Sequence, residues 1–143
     1  VVAVSLKNKT AAGYLALEGH RAFGERVAAT KRDLLAFLGT ARAEGLRVAA
    51  YGAPGKGNTL LNYCGIRGDL IDYAVDRNPY KHGRFTRGTH ITIHPVERLE
   101  TDRPDVILVL PWNLRTEIVG QLAPLVARGT RIVVPIPRVE PVA

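Results

Sequence analysis

Residues 52–58 read Gly52-Ala53-Pro54-Gly55-Lys56-Gly57-Asn58, and three glycines around one lysine are the chemistry-bearing feature of this chain. Glycines remove the Cβ atoms that hold backbone N–H groups away from a ligand. A helix N-terminus behind them adds about half a positive charge, so the pattern suits a phosphate. Lys56 brings a full charge. The spacing G-x-x-G-x-G is neither the dinucleotide fingerprint nor a P-loop, so a tight turn with a solvated lysine stands as the competing reading. Asp76 is either the carboxylate that holds a ribose at a strand end or the start of the turn Arg77-Asn78-Pro79. Trp112 and Asn113 read as a ring cover and a ligand hydrogen-bonding group, or as packing and a helix cap.

Other residue types carry less. His82, His90 and His94 lack a third ligand at useful spacing, so polar histidines are expected rather than a metal site. Cys64 follows Tyr63 on a short helix and reads as core. There is no Ser/His/Asp set and no carboxylate pair at a predicted rim. No catalytic residue is expected in the chain.

The elements that must position these residues follow from periodicity. Phe23, Val27, Leu34, Phe37, Leu38 and Ala41 mark one face of a helix from His20 to Glu44. Leu46 to Tyr51 is a short strand, and Asn58 or Thr59 is the expected cap of a helix ending at Gly65. Leu70 to Val75 is a second strand, and Thr89 to His94 alternates as a third, with His90 and His94 on one face. A helical turn is expected at Val96 to Leu99, and Val106 to Leu110 is an apolar run typical of a strand covered on both faces. Asn113 would cap a helix carrying Leu114, Ile118, Leu122 and Leu125, which Pro124 resets, before a last strand from Thr130 to Ile136. This order predicts a Rossmann-like three-layer α/β domain with a mostly parallel sheet, preceded by a long N-terminal helix. Ligands of such sheets bind beyond the carboxyl ends of the strands.

Length and charge agree with that picture. The 143 residues make one domain, and 20 Lys+Arg against 13 Asp+Glu leave a net charge of +7. Two windows contain no acid: Glu44 to Asp69, with Arg47, Lys56 and Arg67, and Asp76 to Glu97, with Arg77, Lys81, Arg84 and Arg87. Their seven basic residues equal the whole excess, which points to a local anion site rather than to nucleic acid. No run reaches the roughly 18 residues of a membrane span. One cysteine excludes an intrachain disulfide and makes the cytoplasm the expected location. A start at Val1 reads as a segment of something longer.

Taken together, residues 51–64, 76–84 and 88–91, with Pro111-Trp112-Asn113 and Val134-Pro135-Ile136-Pro137, resemble the C-terminal domain of bacterial SAM-dependent C-methyltransferases, including those acting on nucleotide-linked deoxysugars. The resemblance spans Ala22 to Arg138; Pro54-Gly55 departs from that family's small, alanine-like loop residues. It implies a preceding zinc-binding domain and a central domain holding S-adenosylmethionine and the catalytic base, with no cofactor on the present chain. Residues 1–19 would end that central domain, and 20–143 would be the substrate-binding domain. The expected partners are a small nucleotide-linked substrate and the rest of the same protein, with no nucleic acid and no membrane. The substrate set is Gly52, Lys56, Gly57, Asn58, Asp76, Asn78, Lys81, Arg84, His90, Trp112 and Asn113, with the N–H groups of Gly57 and Asn58 meeting a diphosphate. An NAD or other adenine-nucleotide domain, with Asp76 on the ribose, and a structural or dimerising domain remain as alternatives.

Overall fold

A computed structural model describes residues 2–143, with side chains described for residue 21 and residues 24–143. The helix α1 (Val2–Ala43) begins well before the predicted His20. From its predicted face Leu34, Leu38 and Ala41 are buried, while Phe23 lies outside the described side chains. Five further helical and strand pieces follow the expected order: β1 (Val48–Tyr51), α2 (Gly55–Cys64), β2 (Tyr73–Val75), β3 (Ile93–His94) and α3 (Arg98–Asp102). Then come β4 (Val106–Val109), α4 (Arg115–Gln121), α5 (Ala123–Ala127), β5 (Arg131–Val134) and β6 (Glu140–Pro141).

The sheet runs β3-β2-β1-β4-β5-β6. Every pairing is parallel except β5 with β6, which is antiparallel. All four residues of β1 and of β4 are buried, as parallel strands covered on both faces require. One core layer holds Leu34, Leu38, Leu61, Cys64 and Leu108 between α1, α2 and the sheet. The other holds Tyr51, Tyr73, Leu99, Ile118 and Leu125 beneath α3, α4 and α5. Among the described residues no helix is long and apolar enough to cross a membrane.

Three expectations are corrected. The third strand shrinks to Ile93–His94, because Thr86 closes a turn on Ile91: each donates its N–H to the other, to the Ile91 carbonyl at 2.8 Å and to Thr86 Oγ1 at 2.9 Å. His90 sits in that turn at φ 53° and does not share a strand face with His94. Asn113 does not cap α4, since it lies inside a 3-10 turn, Trp112–Leu114, that leads into the helix. The expected reset by Pro124 is seen: α4 and α5 part at Leu122, with the proline in the first turn of α5.

The two edges of the sheet differ. At the amino ends of the strands, Asp72 Oδ2 accepts the Val48 N–H at 2.9 Å and Asp105 Oδ2 accepts the Arg47 N–H at 2.8 Å. The carboxyl ends of β1, β2 and β4 open into the glycine loop, residues 76–78 and residues 111–113. The sheet order reverses between β1 and β4, where an open α/β sheet leaves a crevice.

Candidate functional site

The glycine loop leaves β1 through Gly52, at φ 84°, whose N–H donates to the Val75 carbonyl at 2.6 Å. A Cβ there would stand 2.8 Å from Pro111 Cδ, so only glycine lets the β1 and β4 ends meet. Helix α2 then starts at Gly55, earlier than the expected Asn58 or Thr59, with Pro54 at the N-cap and no side chain capping it. The fixed φ of proline suits a helix entry, and this signal competes with the Asn-Thr cap. Because of the early start, Asn58 N–H is already inside the helix and donates to the Pro54 carbonyl at 2.9 Å. The unfilled donors of the first turn are those of Gly55, Lys56 and Gly57, not Asn58. A Cβ on Gly57 would lie 2.9 Å from Leu110 Cβ, so this glycine also seats α2 on the sheet.

Asp76 ties the loops together. Its Oδ2 accepts the Ala53 N–H at 2.8 Å and its Oδ1 accepts the Asn78 N–H at 2.8 Å. Lys81 Nζ donates to the Ala53 carbonyl at 3.1 Å and lies 3.5 Å from Asp76 Oδ2. His82 Nε2 is 2.6 Å from the Asp76 carbonyl oxygen. Each Asp76 oxygen accepts one backbone N–H, so the carboxylate shapes the loop and still has lone pairs for the cavity it lines. Asn78 likewise turns inward, its Oδ1 accepting the Tyr80 N–H at 3.0 Å to cap the 3-10 turn Pro79–Lys81.

Two cavities flank this knot. One, about 210 Å³, lies between the β1 and β4 ends and α4, lined by Tyr51, Arg77, Pro111, Leu114, Glu117 and Gln121 beside the knot. It adjoins a space of about 380 Å³ that adds His82 and Glu97. The Tyr51 hydroxyl donates to Gln121 Oε1 at 3.2 Å, and burial pushes its pKa up against the opposing charge of Arg77. The second cavity, about 160 Å³, is lined by Asn58, Arg84, Phe85 and Arg87 together with Ala53 and Lys81.

The structure thus brings Gly52, Asn58, Asp76, Lys81 and Arg84 to cavity walls. Lys56 stands on the first turn of α2 with Nζ 5.0 Å from the Trp112 ring centroid, a cation–π contact. Asn78, His90 and Asn113 line neither cavity; His90 packs behind Phe85 with ring centroids 5.6 Å apart. Arg47 and Arg67 belong to the opposite edge, where Arg47 Nη2 pairs with Asp102 at 3.0 Å, so only part of the acid-free charge is at the rim. Lys56, Arg77, Arg84 and Arg87 make no ion pair with a described residue. Arg77, Glu117 and Gln121 also line the larger cavity, and none of the three is among the candidate residues expected from the sequence. The last two are i, i+4 on the helix whose apolar stripe was visible, so its periodicity was the available signal. Among the described residues no group of three or more His, Cys, Asp or Glu stands together to hold a metal.

The family described as "C-methyltransferase C-terminal domain" matches residues 1–137. C-methyltransferase NovU of Streptomyces niveus is 34% identical over 139 residues, covering 95% of this chain. The chain spans about a third of that relative, 32% of its length. A solved structure, UDP-D-quinovosamine 4-dehydrogenase from Vibrio fischeri, shares 18% identity and a TM-score of 0.47 over 68% of this chain and 93% of that one.

Proposed function

Because the chain belongs to the C-methyltransferase C-terminal domain family, we propose that it is the part of such an enzyme that holds a phosphate-bearing, nucleotide-linked substrate. In this reading residues 20–143 bind the substrate and residues 1–19 close a preceding methyltransferase domain. S-adenosylmethionine and the catalytic base belong to that other domain, and the whole enzyme works in the cytoplasm. The present chain binds and orients, and does not transfer the methyl group alone.

One observation carries this reading: Arg77, Arg84 and Arg87 line cavities at the carboxyl ends of β1 and β2, Lys56 stands on the first turn of α2 against Trp112, and none of the four pairs with a carboxylate of a described residue. A diphosphate offsets that charge, and the open N–H groups of the first turn of α2 add donors. Stacking on Trp112 holds the Lys56 ammonium at the loop instead of in bulk solvent. A substrate held at this rim faces outward from the sheet, toward whatever domain packs there.

Isothermal titration with thymidine diphosphate tests the reading. Saturable binding is expected, and Lys56→Ala should weaken it by about tenfold or more, the worth of one charge-assisted contact. Binding that is indifferent to Lys56→Ala removes that lysine from the site.

A further inference from the structure

The rim is divided by one wall. Ala53 and Lys81 line both the 210 Å³ and the 160 Å³ cavities, and the bonds among Ala53, Lys81 and Asp76 hold that wall in place. The two sides have opposite chemistry. The smaller cavity carries Arg84 and Arg87, the ring of Phe85 that is 55% exposed, and no carboxylate. On the larger side Asp76 and Glu117 stand with Arg77, and the Tyr51–Gln121 pair faces an apolar wall of Pro111 and Leu114.

A cavity with cations alone selects an anion. A cavity with mixed charge, an amide and apolar surface selects an uncharged, hydroxyl-bearing group, because each O–H donates to a carboxylate and accepts from an amide. Gln121 suits such a group, since its Oε1 accepts from Tyr51 and its NH2 keeps two donors that no described residue takes up.

We infer that one substrate lies across the wall in a fixed direction. Its base and diphosphate sit at Phe85, Arg84 and Arg87, and its sugar sits in the cleft of Tyr51, Glu117 and Gln121. An ammonium has three donors; Lys81 directs two at Ala53 and Asp76 and has a third for a phosphate oxygen at the crossing point. Phe85 supplies the flat face on which a base stacks. The inference rests on the nucleotide-linked reading above and adds its direction and the residues that recognise each end.

The test titrates the unmutated chain and its variants with thymidine diphosphate and with thymidine-diphosphate-glucose. The double variant Arg84→Ala with Arg87→Ala should weaken both ligands by about tenfold or more. Glu117→Gln and Gln121→Ala should each weaken the sugar nucleotide by about tenfold while leaving the diphosphate within about twofold, since only the sugar reaches them. Unchanged melting curves confirm that these surface variants fold. The direction is overturned if Glu117→Gln or Gln121→Ala weakens both ligands equally, or if the arginine pair can be removed without effect on the diphosphate. Absence of binding by the unmutated chain overturns the substrate reading itself, and this inference with it.

Discussion

Asp76→Asn isolates the knot that shapes the rim. In the native chain the carboxylate accepts two backbone N–H groups at 2.8 Å, from Ala53 and from Asn78, and its side chain is 14% exposed. Asparagine keeps the shape but turns one acceptor into an NH2 donor that faces another donor. Losing one charge-assisted bond at a mostly buried site costs about 1.5 to 3 kcal/mol. The Lys81 pair adds little, because the lysine side chain is 38% exposed, the contact is 3.5 Å, and such pairs contribute at most about 1 kcal/mol. A loss of about 2 to 3 kcal/mol follows, or roughly 6 to 15 °C in melting temperature for a domain of this size. Urea unfolding followed by circular dichroism measures it, and hydrogen exchange at the Ala53 and Asn78 amides should speed up in the variant. A change under about 0.5 kcal/mol with both amides still protected would show that the carboxylate does not hold the loop.

Gly57→Ala places a Cβ 2.9 Å from Leu110 Cβ and 3.2 Å from Pro54 Cγ, neither of which can swing away; overpacking should cost about 1 to 2 kcal/mol net of the gain in helix propensity. Gly55→Ala, with nothing within 4 Å of its Cβ, is the control and should be neutral or stabilising by the same unfolding assay. At Asp102, burial pushes the carboxyl up, but the Arg98 hydrogen bond and the Arg47 charge outweigh it and hold it below the ordinary aspartate value. A depressed carboxyl contributes stability above its unfolded pKa and loses it as pH falls through the folded one. Asp102→Asn should therefore destabilise the chain at pH 7 and lose much of that difference by about pH 3; an equal difference at both pH values would contradict the assignment.

Much of the fold was legible because single strong signals decided it. The unbroken apolar run Val106 to Leu110 is of the kind found in a strand covered on both faces, and β4 lies in the middle of the sheet with all four residues buried. Gly45 and Gly65 mark the ends of their helices, each at positive φ. The start of α2 was misplaced because Asn58 and Thr59 look like caps, whereas Thr59 Oγ1 instead donates back to the Gly55 carbonyl at 3.0 Å within the helix. Strand β6 carries no local signal: Glu140 and Pro141 become a strand only by pairing with Val134 and Val133. For the candidate site, the loops that line the cavities are ones the sequence singles out. Which members face the cavities depended on bonds between segments distant in sequence, such as Asp76 to Ala53 and Tyr51 to Gln121, and periodicity does not encode those. The same limit explains Arg47, which belonged to an acid-free window in the sequence yet meets two acids, Asp102 and Asp105, from across the fold.

If the carboxyl rim of this domain binds a nucleotide-linked substrate, as proposed, amide shift mapping during titration with thymidine-diphosphate-glucose will register it. Saturable shifts should gather in residues 52–57, 76–87 and 111–121, around both cavities and the first turn of α2. Shifts confined to the amino-terminal edge around Arg47, Asp72 and Asp105, or no binding at about millimolar ligand, would contradict it.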